Sequence, residues 1–174
     1  MTGANIRRAG PGDLAAITGI YADAVAHGTA SFELEPPDEA EMAHRQEALL
    51  TAGYPYFVAE HAGLVAGYAY AGPYHSRPGY RWTVEDTVYV APQFHRRGLG
   101  RLLVARLIAE AQTRGFRQMI AVIGDSANTA SIALHAEAGF RGIGTLQSVG
   151  FKHGRWLDIV VMQRPLGRGD ATPP

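Results

Sequence analysis

Residues 82–107, WTVEDTVYVAPQFHRRGLGRLLVARL, decide how the rest of the chain folds. The first part, residues 83–90, is rich in β-branched and aromatic side chains, which predicts a strand. Pro92 has no N–H for a strand ladder and therefore ends this strand. Leucines then recur at helical spacing from Leu99 onward, which predicts a helix. The segment is therefore expected to form a strand, a tight turn and a helix.

The turn between this strand and this helix is basic and contains two glycines. Gly98 and Gly100 carry no Cβ, so the backbone can come close to a ligand there. The first N–H groups of a helix lack internal partners, and arginines flank them, so the turn suits a phosphate or pyrophosphate. Its spacing matches neither the GxxxxGK[ST] loop nor the full GxGxxG fingerprint.

Composition limits the class of protein. A chain of 174 residues with 47% hydrophobic and 18% charged residues is typical of one globular domain. Its 16 basic and 16 acidic residues give no net charge, which argues against a nucleic-acid-binding protein. No stretch reaches the ~20 apolar residues of a membrane helix, and without an apolar signal core we expect a cytoplasmic protein. The lack of cysteine excludes disulfides, a cysteine nucleophile and thiolate metal sites, and the histidines show no metal-binding spacing.

The remaining patterns predict the element order β-α-α-β-β-β-α-β-α-β-β. The other strands are expected at residues 5–9, 56–61, 64–72, 118–123, 140–148 and 155–164, and the other helices at residues 14–25, 38–51 and 128–138. This order predicts a mixed α/β fold with a mostly antiparallel sheet. A single domain is expected over residues 1–166, followed by a loose tail at 167–174.

Several motifs together resemble one known family. HRRGLG at 95–100 resembles the acetyl-CoA motif [Q/R]xxGx[G/A] of the GNAT superfamily of N-acetyltransferases, with His95 in place of Gln or Arg. TVEDTVYV at 83–90 is similar to the strand that carries the catalytic glutamate in the phosphinothricin and methionine sulfoximine acetyltransferase branch. NTASIALH at 128–135 resembles the second CoA-binding motif, and GFKHGxW at 150–156 resembles a hairpin of that branch. The resemblance covers nearly the whole chain.

The resemblance implies the GNAT fold, a central sheet flanked by helices and splayed where the pantetheine arm of acetyl-CoA inserts. It also implies a homodimer and no metal. Acetyl-CoA is expected along the strand end, the glycine turn and the start of a later helix, although Asn128 alone would also serve as a helix N-cap. The implied cofactor-binding residues are Val88, Tyr89, Val90, Arg96, Arg97, Gly98, Leu99, Gly100, Arg101, Asn128 and Ser131.

The resemblance also implies catalytic roles. An amine with a pKa near that of lysine is protonated at neutral pH and needs a base before it can attack a thioester. Glu85 is the implied base, and Asp86 beside it is expected to be structural. The Val90 N–H is the implied oxyanion donor, and His135 or water is expected to protonate the CoA thiolate.

The substrate is less constrained by the sequence. An amino-acid analogue of the phosphinothricin or methionine sulfoximine type needs fixed cationic donors for its acidic groups. Arg77 is the first candidate, and Phe32, Tyr80 and Lys152 are candidates for the pocket wall. Two alternatives stay open: acetylation of another amine (a protein N-terminus, a polyamine or an ordinary amino acid), and a non-catalytic acyl-CoA-binding module.

Overall fold

A computed structural model describes residues 3–174. The strands are β1 (Ala4–Arg8), β2 (Tyr56–His61), β3 (Leu64–Pro73), β4 (Thr83–Val90), β5 (Gln118–Gly124), β6 (Arg141–Lys152) and β7 (Arg155–Pro165). The helices are α1 (Leu14–His27), α2 (Glu39–Thr51), α3 (Leu99–Thr113) and α4 (Thr129–Glu137). This order confirms the predicted one, and the ends of most elements differ from the prediction by only one or two residues.

The strands form one sheet in the order β1-β2-β3-β4-β5-β7-β6. Neighbouring strands are antiparallel except β4 and β5, which are parallel. This parallel pairing runs only from Thr83 opposite Gln118 to Asp86 opposite Ala121. Beyond it β4 stays paired with β3 and β5 stays paired with β7, so the two strands separate. The sheet is therefore open at its centre, which confirms the predicted splay.

Helices cover both faces of the sheet. Phe57 and Ala59 on β2 belong to a cluster that contains the buried leucines of α3, Leu103 and Leu107. Tyr56 and Val58 alternate with them along the strand and pack in a second cluster with residues of α1 and α2. Burying each α3 leucine contributes about 1.5–3 kcal/mol. These two layers hold β3 and β4 in place beside the opening.

The two ends of the sheet differ. Strand β6 is an edge, and residues 141–149 along it are all exposed. At the end of the chain, Arg117 Nη2 donates to the Thr172 hydroxyl at 2.9 Å and to the Pro173 carbonyl at 2.8 Å. The domain limit at residue 166 and the loose tail stay predictions. No helix within residues 3–174 is long and apolar enough to span a bilayer.

Candidate active site

Two cavities meet where β4 and β5 separate. The first, which we call the Glu85 cavity, has a volume of about 300 Å³ and is lined by Glu85 together with side chains from both faces of the opening. The second, which we call the Gly98 groove, measures about 1070 Å³ and follows the end of β4, the glycine turn and the start of α4. Residues that line both are Ala30, Val88, Tyr89, Asn128 and Ser131. The two spaces therefore share a wall.

The glycine turn adopts the geometry that its sequence suggested. Gly98 is the N-cap of α3 and has a φ of 77°, in the left-handed region that favours glycine. A Cβ on Gly100 would lie 3.2 Å from Leu134 Cδ2, so glycine leaves room for α4 to approach. Arg96 and Arg101 line the groove, and their charges suit phosphate groups. The turn thus offers backbone N–H groups and two cations to an anionic ligand.

His95 has a structural contact of its own in this turn. Its Nε2 lies 2.8 Å from the Val90 carbonyl oxygen. Since a carbonyl only accepts, Nε2 carries the proton and donates it. The histidine that replaces Gln or Arg in the motif therefore ties the turn to the end of β4.

Arg97 departs from its predicted role in cofactor binding. Its guanidinium lies 3.5 Å from His61 Nε2 and 5.9 Å from the centre of the Phe94 ring, and it does not line the groove. Leu99 does line the groove, but its side chain is buried in the core. A turn places successive side chains on different sides, so the basic run could not all face the ligand. The other cofactor candidates, including Val90, lie along the groove.

The start of α4 forms the opposite wall of the groove. Asn128 Oδ1 accepts from the Ser131 N–H at 3.2 Å, so Asn128 is an N-cap. Both residues also line the Glu85 cavity. The capping and ligand-facing interpretations of Asn128 are therefore compatible.

Glu85 lies in the smaller cavity with the properties of a base for neutral pH. It is half-buried on β4. Burial raises the pKa of Glu85 to about 7, and the neighbouring Asp86 carboxylate adds to the rise. A carboxylate with this pKa can accept a proton from an amine near neutral pH.

Asp86 and His135 form a buried pair next to Glu85. Asp86 Oδ2 lies 2.9 Å from His135 Nε2, and the two side chains are 1% and 3% exposed. His135 Nδ1 donates to the Ser131 carbonyl at 2.7 Å. Burial alone would lower the pKa of His135, but Asp86 and the Ser131 carbonyl raise it above its usual value. Both ring nitrogens are thus engaged, and His135 has no nitrogen left for the predicted protonation of a thiolate.

The four predicted substrate residues are not brought together. Phe32 lines the Glu85 cavity. Lys152, the only lysine of the chain, is buried and its Nζ donates to the Ser31 carbonyl at 2.7 Å instead of facing the cavity. Arg77 is exposed beside a 3-10 turn, and Tyr80 packs against other loop aromatics. Neither lines a cavity, so within residues 3–174 no arginine or lysine borders the Glu85 cavity.

Residues 28–33, the connection that leaves α1, cover one side of the Glu85 cavity. A Cβ on Gly124 would lie 2.6 Å from the Thr29 carbonyl oxygen, so this connection lies directly on β5. The Thr29 hydroxyl donates to Asp125 Oδ2 at 2.9 Å. A Cβ on Gly150 would clash with the Phe32 ring. Together with Lys152, these contacts hold Phe32 at the cavity.

The tyrosines of the cavity were not predicted as side-chain ligands. Tyr21, Tyr70 and Tyr89 line it from α1, β3 and β4. The Tyr21 hydroxyl lies 2.9 Å from Ser31 Oγ and donates to Glu33 Oε1 at 3.0 Å. In sequence these tyrosines fit the apolar patterns of a helix and two strands. Only their hydroxyl groups distinguished them from ordinary core residues.

An open sheet, a basic glycine turn at a helix start and an adjoining carboxylate cavity together define a CoA-dependent acyltransferase. The sequence profile described as the Acetyltransferase (GNAT) family matches residues 15–140. The chain therefore belongs to the GNAT family of acetyltransferases, and it is an acetyl-CoA-dependent N-acetyltransferase. The left-handed Gly98 at the start of α3, the lack of a Cβ at Gly100 and the cations of the groove fit acetyl-CoA.

Two relatives are similar over most of their length. A phosphinothricin N-acetyltransferase of Alcaligenes faecalis is 56% identical over 162 residues, which are 93% of this chain and 82% of that protein. An L-methionine sulfoximine/L-methionine sulfone acetyltransferase of Salmonella typhimurium is 45% identical over 161 residues, which are 92% of this chain and 94% of that protein.

One solved structure is very similar to this chain in fold. It is a GNAT superfamily phosphinothricin acetyltransferase from Sinorhizobium meliloti in complex with acetyl-CoA. Its TM-score is 0.96 at 48% identity, and the alignment covers 100% of this chain and 94% of that one. Within residues 3–174 no group of three His, Asp or Glu side chains is placed to hold a metal ion.

Proposed function

We propose that this enzyme acetylates the amine of a small amino-acid-like substrate of the phosphinothricin, methionine sulfoximine or methionine sulfone type, with Glu85 as the general base. The observation that carries the proposal is the half-buried Glu85 carboxylate in a cavity that shares a wall with the Gly98 groove. The names of the close relatives support the substrate class.

The proposed reaction is direct transfer. Acetyl-CoA, when bound, supplies an acetyl thioester. Glu85 accepts a proton from the substrate ammonium, directly or through water, and the free amine attacks the thioester carbon. A C–N bond forms, the C–S bond breaks, and the second proton of the amine passes through water to the departing thiolate. Water protonates the thiolate in this scheme, because both ring nitrogens of His135 are engaged.

The direction of the strand backbone supports an oxyanion role for Val90. The Ala91 N–H donates to the Ala66 carbonyl at 2.9 Å, so it points toward β3. N–H groups of successive strand residues alternate in direction, so the Val90 N–H points to the side from which β5 has diverged. There it can donate to the carbonyl oxygen that becomes negative during the attack.

An amine panel tests the proposed substrate class. Release of CoA from acetyl-CoA is measured with phosphinothricin, methionine sulfoximine, methionine sulfone, common amino acids, a polyamine and a short peptide. We expect turnover mainly on the first three. Faster turnover on the polyamine or peptide would contradict the substrate class but keep the acetyltransferase. Tight acetyl-CoA binding with no turnover on any amine would favour a binding module.

We also propose that the enzyme is a homodimer that pairs through β6. Ile143, Leu146 and Val149 on this edge strand are 53%, 54% and 51% exposed. A long, exposed apolar edge strand is a site of association. Size-exclusion chromatography with light scattering should give a dimer for the wild type and a monomer for Leu146→Glu. A wild-type monomer would contradict the proposal. The cytoplasmic location and the absence of nucleic-acid and membrane partners stay predictions.

A further inference from the structure

The Asp86–His135 pair lies at a special point of the fold. Asp86 is the last β4 residue that is paired with β5 before the strands separate. His135 belongs to α4, the helix that follows β5 and whose first turn lines the Gly98 groove. The 2.9 Å contact between Asp86 Oδ2 and His135 Nε2 therefore joins the two sides of the opening at its closed end.

The contacts of this pair favour a protonated His135 ring. The Ser131 carbonyl can only accept, so His135 Nδ1 carries a proton. Burial lowers the pKa of His135, but the contact with Asp86 and the Ser131 carbonyl raise it overall, which favours a proton on Nε2 as well. Asp86 Oδ1 is buried and has no hydrogen-bond partner within residues 3–174. Asp86 is thus held by one histidine ring and directly follows Glu85 in the strand.

We propose that the Asp86–His135 pair is a positioning element of this active site, which fixes α4 against β4 and sets the pH range in which Glu85 can accept a proton. Neither side chain is proposed to touch the reacting atoms. The inference rests on the proposed role of Glu85 as the base.

Few other groups can influence the charge of Glu85. The titratable side chains that line its cavity come from α1, β3, β4 and α4, and they are Tyr21, Tyr70, Tyr89, Asp86 and His135. Burial raises the pKa of each of the three tyrosines, so all three are neutral around pH 7. Glu33 lies outside the cavity and pairs with Arg45 at 2.6 Å. Asp86 and its partner His135 are therefore the remaining titratable groups of the cavity, and Asp86 adds to the raised pKa of Glu85.

The test is a direct titration of the Glu85 carboxyl. In protein labelled with ¹³C at glutamate carboxyls, the Glu85 resonance is the one that disappears in Glu85→Gln. In Asp86→Asn we expect the midpoint of this resonance to move to lower pH by about 0.5 pH units or more, because a neighbouring negative charge is removed. The acid limb of kcat/KM should move with it, and the Kd for acetyl-CoA should rise severalfold as α4 loses its anchor. Glu47→Gln also replaces a carboxylate by an amide, but at an exposed site outside both cavities, and it should leave the midpoint unchanged.

The outcomes separate this inference from the proposed function. A midpoint in Asp86→Asn that is unchanged or higher overturns the inference, whatever the turnover of the enzyme. If Asp86→Asn does not fold, His135→Gln replaces it and should move the midpoint to higher pH, since a cation is lost. An unchanged or lower midpoint there overturns the inference as well. Unaltered turnover in Glu85→Gln would instead overturn the proposed base, and the titration result would still stand on its own.

Discussion

The Gly98 groove and the Glu85 cavity are built in different ways. The longest stretch of the groove wall is one continuous segment, residues 88–101, which contains the glycine turn, and the second half of α1 with residues 28–30 and the segment 125–137 supply the rest. The Glu85 cavity is lined by residues from α1, residues 28–33, β3, β4, β5, α4 and β7. The glycine turn of the groove is thus local in sequence, whereas the Glu85 cavity exists only after the whole sheet has assembled.

This difference explains what each half of the site requires of the chain. The groove holds a ligand through conformation, so a glycine with a φ of 77° and a helix start are sufficient. The cavity adjusts a carboxylate through burial and charge, so it depends on contacts between distant residues. Changes in the groove should therefore affect cofactor affinity, and changes around the cavity should affect the amine or the chemical step.

Glu85→Gln should give the largest effect and should be confined to the cavity. We expect kcat/KM for the amine to fall about 10²–10⁴-fold at neutral pH, because the amide cannot accept the proton. The Kd for acetyl-CoA, measured by calorimetry, should not change. Glu47→Gln is the matched control and should keep full activity. A Glu85→Gln enzyme with wild-type kcat/KM would contradict the assignment of the chemical step to the Glu85 cavity.

Gly98→Val should affect the groove instead. A β-branched residue at a φ of 77° is strained by about 1–2 kcal/mol, so the turn will distort and the Kd for acetyl-CoA should rise about tenfold. Gly63→Val is the control, since Gly63 has the same φ of 77° in the β2–β3 turn, outside both cavities. Equal effects of both variants on the Kd would mean that strain, and not the groove, is being measured.

Gly124→Ala should displace the cover of the Glu85 cavity. The new Cβ would meet the Thr29 and Ala30 carbonyl oxygens at 2.6 and 2.7 Å. Backbone cannot yield easily, so we expect a loss of about 1–3 kcal/mol in stability and a rise in the KM for the amine of up to about tenfold. Gly19→Ala, where nothing lies within 4 Å, is the control. Steady-state kinetics measure the KM for the amine. An unchanged KM would show that residues 28–33 do not shape the cavity.

Lys152→Met should have a smaller effect of the same kind. The ammonium group is buried and donates to the Ser31 carbonyl, and its loss frees residues 28–33 on one side. We expect the KM for the amine to rise about threefold, in line with the net value of one hydrogen bond. The KM for acetyl-CoA should stay constant, and Arg168→Met, at an exposed site, should change neither. A KM for acetyl-CoA that rose instead would place Lys152 with the groove.

The last expected effect is on stability and not on kinetics. The pKa of Glu85 is raised from 4.5 to about 7 by folding, so the folded state binds the proton more tightly than the unfolded state. Stability is therefore lost as the pH rises from about 4.5 to 7. The melting temperature of Glu85→Gln minus that of the wild type should therefore be more positive at pH 8 than at pH 5. The same difference at both pH values would contradict a raised pKa.

The sequence predicts the parts of the molecule that depend on local segments better than those that depend on contacts between distant residues. The element order and the glycine turn are predictable because strand and helix periodicity and a turn motif are local, whereas the role of Glu85 comes from the resemblance of residues 83–90 to a known family. His135 is placed correctly near the site, but its partner Asp86 is 49 residues away, so its contacts are not predictable. Loop composition suggests a cation at Arg77, yet composition does not say which way a loop side chain points.

The most direct test of the central claim, that the two cavities form one active site with Glu85 in the smaller one, is a crystal structure of Glu85→Gln with acetyl-CoA and phosphinothricin. We predict the pantetheine arm along residues 88–90, and the substrate amine in the Glu85 cavity within about 3 Å of the residue 85 amide or one water away. An amine bound outside this cavity, for example beside Arg77, would contradict the account.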